Sequence, residues 1–198
     1  MTTASSSPLC NPASVCCIGG IWPRTDTLTP RGVGRLSEKA SPESELEFAV
    51  DLINRVVAGV QGVRTGVHVC RGNWSQKEEV LLQGDYDPLV PYFARMHVTQ
   101  FVLEYATDRA GSVDVLATLP LDKEIGLGVC NPRTGEVEPV DFIINKVKQL
   151  LKHRAPERIF LNPDCGFGTF ADRPLNTNEI ATAKLRALAA ASERLRSL

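Results

Sequence analysis

Four short apolar runs, at 63–69, 99–105, 124–129 and 158–161, alternate along this chain with segments of helical period. That alternation limits the fold more than any other feature. Ser41 is a suitable N-cap and Pro42 suits a first helical position, and Leu46, Ala49, Val50, Ile53, Val56, Val57 and Val60 follow at helical spacing. This first helix should stop near Gly59–Gly62. Short helices are expected at 87–96 and 111–119. A longer one spans 137–152, with Val140, Ile143, Ile144, Val147, Leu150 and Leu151 on one stripe. Asn176 with Glu179 resembles a capping box for a last helix running to about Arg196. Strands that alternate with helices argue for an α/β fold on a parallel sheet. The runs lack strict polar alternation, as expected where both faces are covered. Four strand–helix units make half of an eight-stranded barrel, which would leave unpaired strand edges. Such a sheet stays open and covered, self-associates through its open edges, or belongs to a longer gene product.

Residues 1–40 read differently. They are rich in Ser, Thr, Pro and Gly, without a period of 2 or 3.6. An irregular, disordered tail is expected there, followed by a catalytic partial barrel over 41–198. Cys10, Cys16, Cys17 and Trp22 fall in the tail, and their spacing matches no ligand pattern. The net charge of −1 gives no electrostatic reason for a nucleic-acid or acidic-membrane partner. No apolar run reaches the ~20 residues needed to span a bilayer. The first residues carry no basic cluster followed by an apolar core, so a secretory signal is not expected. The default location is cytoplasmic, where cysteines serve as thiols or ligands rather than disulfides.

Three of the apolar runs end on potential metal ligands. His68-Val69-Cys70-Arg71-Gly72-Asn73 follows the first, Glu104 closes the second, and Asn162-Pro163-Asp164-Cys165-Gly166-Phe167-Gly168 follows the fourth. His68 and Cys70 are two residues apart, so an extended backbone points both side chains to one side. In parallel sheets, loops at the C-terminal ends of strands build the active site. An imidazole, two sulfurs and a carboxylate from such loops are a ligand set for zinc. Each residue also has a plain reading: a small buried thiol, a hydrogen-bonded histidine, or a salt bridge from Glu104 to Arg71 or Arg109. Cys130 ends the third run and competes as a ligand. His97 and His153 read as structural or solvent-facing.

These motifs, with Leu103-Glu104-Tyr105 between them, resemble the catalytic domain of the cobalamin-independent methionine synthase superfamily, over about residues 43–196. That superfamily includes shorter stand-alone members such as epoxyalkane:coenzyme M transferases. The resemblance implies a TIM-type barrel of the uroporphyrinogen decarboxylase/methionine synthase kind, here its last four βα units. It implies Zn²⁺ held by His68, Cys70, Glu104 and Cys165. Arg71, Asn73 and Asp164, beside those ligands, are candidates to orient them or to meet substrate. The implied reaction is alkylation of a small-molecule, homocysteine-like thiol: methyl transfer from methyl-folate in methionine biosynthesis, or opening of an epoxide as alkyl donor. A non-catalytic zinc-binding fragment is the remaining reading. The match departs at Cys130-Asn131-Pro132-Arg133, where the methionine synthases carry a histidine just before Pro-Arg. It also departs in residues 1–40, which resemble none of the family's earlier barrel strands.

Overall fold

The structure is a computed structural model, and it describes residues 41–73, 75–77, 81–82, 84–168 and 174–197. The tail expected at 1–40, with Cys10, Cys16, Cys17 and Trp22, lies outside the described residues. Helix α1 (Pro42–Val57) starts as its sequence requires. Ser41 caps it by accepting the Ser44 N–H at 3.2 Å, proline occupies the first turn, and Glu43 and Glu45 sit at the positive end of the helix dipole. Leu46, Ala49, Val50 and Ile53 are buried, while Phe48, Leu52 and Val56 form an exposed apolar stripe on the outer face.

The remaining elements are β1 (Gly66–Val69), α2 (Val90–Phe93), β2 (Gln100–Glu104), β3 (Glu124–Cys130), α3 (Val140–Leu150), β4 (Ile159–Pro163) and α4 (Asn178–Arg196). The strands pair in the order β1-β2-β3-β4, all parallel. His68 stands opposite Val102, and Glu104 opposite Gly128. The ladder skips a residue between Gly128 and Cys130, so Pro163 pairs with Cys130. Among the described residues β1 and β4 are the sheet's edges.

One core unites helices and sheet. Val67, Val69, Phe101, Leu103, Ile125, Leu127, Val129 and Ile159 pack with Leu46, Ile53, Phe93, Ile143, Val147, Leu150 and Leu188. The strands therefore do alternate: these residues face the helices, while His68, Gln100, Glu104, Glu124, Gly126, Gly128 and Asn162 occupy the intervening positions. Gly126 and Gly128 hid the alternation, because glycine reads as neither polar nor bulky. Gly128 is glycine by necessity. A Cβ there would lie 2.3 Å from Asp164 Oδ1 and 2.6 Å from the Leu103 carbonyl oxygen.

Three local expectations are sharpened or changed. The short helix expected at 111–119 is present as a 3₁₀ helix at Val113–Thr118, preceded by another at Asp108–Ala110. Strand β1 begins at Gly66, since Val63 is exposed and Arg64 turns aside to pair with Glu124 at 2.7 Å. The cap of α4 is Thr177, which accepts the Ile180 N–H. Asn176 instead donates its amide to the carbonyls of Pro132 and Thr134. Among the described residues, no helix is long and apolar enough to cross a membrane.

Candidate metal centre

His68, Cys70, Glu104 and Cys165 each offer a donor atom, and these atoms all lie within 4.8 Å of one another. The sheet explains the convergence. β1 and β2 are neighbours and end at the same level, and the chain leaving β4 folds back so that the Cys165 sulfur lies 4.0 Å from that of Cys70. His68 Nδ1 is 3.0 Å from the Val102 carbonyl oxygen. A carbonyl can only accept, so this nitrogen carries a proton. Among the described residues, His68 Nε2 and Glu104 Oε1 are both buried without a hydrogen-bond partner. Two such polar atoms beside two sulfurs are costly in an apolar setting and suit a cation.

Charge tells the same story. The hydrogen bond with Cys165, first, and then His68 pull the Cys70 thiol far below its ordinary value, and the same bond and burial push Cys165 up. Glu104 is pushed up to about 8, chiefly by burial and then by Asp164 and Cys70. Asp164, 1% exposed, is pushed up to about 7 by burial.

The three residues flanking the ligands are all buried and all engaged. Arg71 spans the carbonyls of Leu82, Gly84 and Arg109, and its guanidinium lies 5.0 Å from the centre of the Tyr86 ring. Asn73 donates to Asp164 Oδ2 at 3.4 Å, and Asp164 Oδ1 accepts the Ala106 N–H at 2.9 Å. Two further residues belong here that the sequence did not single out for this role. Arg109 holds Glu104 Oε2 at 3.3 Å and also donates to Asn73 and to the carbonyls of Arg71 and Leu82. It thus leaves one oxygen of Glu104 for another partner. Tyr86 accepts the Glu104 N–H at 2.9 Å and reaches the Val69 carbonyl, joining β1 to β2 beyond their ladder. Arg109 was legible only as a salt-bridge partner for Glu104, and nothing local marks Tyr86.

Other candidates fall outside the cluster. Cys130 is fully buried, and its thiol is pushed up to about 12, first by burial. Cys70, Cys130 and Cys165 are all free thiols. His97 is exposed, and His153 bonds Asp114 at 2.8 Å. Asn131, at the position of the family's histidine, accepts the Arg133 N–H through its side chain and so shapes its own loop.

A pH dependence follows. Acids held neutral in the fold but ionised in the unfolded chain lower stability as pH rises. The contribution of Glu104 and Asp164 is full below the ordinary carboxyl value of about 4 and is lost as pH rises through about 7–8. The depressed Cys70 thiol works the other way, so the melting temperature of the metal-free protein should fall chiefly between about pH 5 and pH 7, where two carboxyls act against that one thiol. Added zinc, which favours the ionised ligands, should stabilise more at about pH 8 than at about pH 6. Melting curves in chelator and in zinc check this, and a flat metal-free curve would contradict it.

Comparison with known proteins agrees with this picture. Methionine synthase from Pyrococcus furiosus is 37% identical over 123 residues, covering 62% of this chain and 32% of the relative. Methionine synthase from Pyrococcus horikoshii is 33% identical over 136 residues, covering 69% of this chain and 36% of the relative. The chain thus spans about a third of the length of these curated relatives. The fold resembles that of a B12-independent methionine synthase from Shewanella sp. W3-18-1 solved with selenomethionine, at a TM-score of 0.62 and 19% identity. That likeness covers 76% of this chain and 43% of that one. Four parallel strands with flanking helices are accordingly part of a TIM-type barrel. The profile described as cobalamin-independent synthase, catalytic domain, matches residues 32–193, and the chain belongs to that family.

Proposed function

We propose that this chain is the metal-bearing part of a zinc-dependent methyltransferase that methylates a homocysteine-like thiol with methyl-folate. The observation that carries the reading is the cluster of His68, Cys70, Glu104 and Cys165 at the C-terminal end of the sheet in a chain of this family. The donor set fits zinc: one neutral imidazole, two sulfurs and one carboxylate. The ion would supply one thing, a lowered pKa for a substrate thiol brought into contact with it.

The chain's own residues do the rest. His68 is fixed in one tautomer by the Val102 carbonyl. Arg109 steadies Glu104 through one oxygen. Two sulfur ligands donate electron density, which keeps a neighbouring sulfur nucleophilic. Glu104 would be the residue suited to give way to substrate, since its Oε2 is held by Arg109. The histidine that methionine synthases carry before Pro-Arg is Asn131 here, whose side chain is occupied by the Arg133 N–H. Protonation of the leaving group therefore falls to another group or to water.

The relatives are named methionine synthases, which favours methyl-folate over an epoxide as alkyl donor and lends no support to self-association. The open edges of β1 and β4 and the apolar stripe of Phe48, Leu52 and Val56 suit further barrel strands and their helices. Residues 41–198 are thus read as one partial barrel. The test is an assay of the zinc-loaded protein with homocysteine, pairing methyl-tetrahydrofolate and an epoxide in parallel. The reading expects methionine from the first, abolished by chelation. Product from the epoxide alone would favour the transferase alternative. A zinc-loaded protein that forms neither product would favour a non-catalytic zinc-binding role.

A further inference from the structure

We propose that Gln76, Arg133 and Asn176 are positioning residues: they lock three loops into a ring that sets the distance between the Cys70 and Cys165 sulfurs. The inference rests on the reading of the cluster as a metal centre. Cys70 follows the last residue of β1 and Cys165 lies two residues beyond β4, so the strand ladders hold neither. Something else must hold their sulfurs 4.0 Å apart.

The ring supplies it. From the loop after β3, Arg133 donates Nε to the Ser75 carbonyl at 2.6 Å and Nη2 to the Gln76 carbonyl at 2.9 Å. From the loop after β1, Gln76 donates Nε2 to the Leu175 carbonyl at 2.8 Å. From the loop after β4, Asn176 donates Nδ2 to the carbonyls of Pro132 and Thr134. Each loop thus gives to one neighbour and receives from the other. Leu175 N–H bonds back to the Phe167 carbonyl at 3.1 Å, which passes the restraint to within two residues of Cys165.

The loop after β3 contributes none of the clustered donors, yet it is the most firmly anchored. Asn131 N–H donates to Glu138 Oε1 at 2.7 Å, and Glu138 pairs at 3.0 Å with Lys184 of α4, which is fully buried. It is the fixed post to which the two thiol-bearing loops are tied. Cutting one link leaves the loops joined in a line through the other two and loosens the restraint, while cutting two frees one loop from the ring.

The test uses the full chain loaded with zinc, and reads zinc release to a chromophoric chelator. Gln76→Ala, Arg133→Ala and Asn176→Ala should each speed release about tenfold or more, within the range typical for residues that orient ligands. Arg133→Lys should recover part of the effect. The double variant Gln76→Ala/Arg133→Ala should release zinc faster than either single variant, because it frees the loop after β1 from both of its ring partners. Arg194→Ala, which breaks a surface pair with Asp141, serves as control and should leave release unchanged. Melting of the metal-free variants separates this role from general destabilisation, which would lower the midpoint and add between sites. Should Arg133→Ala fail to fold, Gln76→Ala decides, since Gln76 is exposed. Wild-type release rates in the variants, or release rates that simply track the melting midpoint, would overturn the clasp and leave the metal centre standing. A wild-type protein that takes up no zinc would overturn both.

Discussion

Replacing Cys165 by alanine lowers zinc affinity about 10²–10³-fold, because one of four donors is lost from a centre of a kind worth ~10–16 kcal/mol in all. Cys70→Ala does the same. Both sulfurs belong to one cluster and lie 4.0 Å apart, so neither can be spared for the other. Glu104→Gln has a smaller effect, of about tenfold, since the amide oxygen can still approach the ion and Arg109 remains to orient it. Cys130→Ala leaves zinc affinity unchanged, although it too ends a strand, because its thiol is buried outside the cluster. Competition against a chelator of known affinity measures all four. Equal losses in Cys130→Ala and Cys165→Ala would contradict the assignment.

Gly128→Ala is the most damaging single methyl in the sheet. The new Cβ would lie 2.3 Å from Asp164 Oδ1, 2.6 Å from the Leu103 carbonyl oxygen and 3.0 Å from Asp164 Cα. Two of these are backbone atoms, one in β2 and one just beyond β4, so no rotamer relieves the clash. The cost should be at least ~3 kcal/mol, at the upper end for overpacking. The damage also reaches function. Asp164 precedes Cys165 and is bound to the Ala106 N–H and to Asn73, so pushing it aside moves a clustered sulfur. Denaturant melts with and without zinc check both parts: lower stability, and a smaller stabilisation by zinc than in the parent protein. A variant with parental stability would show that β4 approaches β3 less closely than described here.

The four strands and their parallel pairing were legible because each apolar run is short, bounded by a loop and separated from the next by a helical segment. The ends of the runs were legible too, since His68, Cys70, Glu104 and Cys165 are chemically out of place in apolar surroundings. What escaped has a common cause. Tyr86 and Arg109 join the site through backbone atoms of segments distant in sequence, and such bonds leave no local pattern. Thr177 caps α4 because Asn176 is drawn away to the loop after β3, a competition decided between distant segments. The 3₁₀ helix at 113–118 buries only Val113 and Leu116, too few positions to distinguish its period from that of an α-helix.

The account stands on four side chains sharing one ion. X-ray absorption at the zinc edge of the loaded protein reads those neighbours directly. The prediction is one zinc per chain with two sulfurs at about 2.3 Å and nitrogen or oxygen neighbours at about 2.0–2.2 Å. A shell of nitrogen and oxygen alone, or a protein that takes up no zinc, would contradict it.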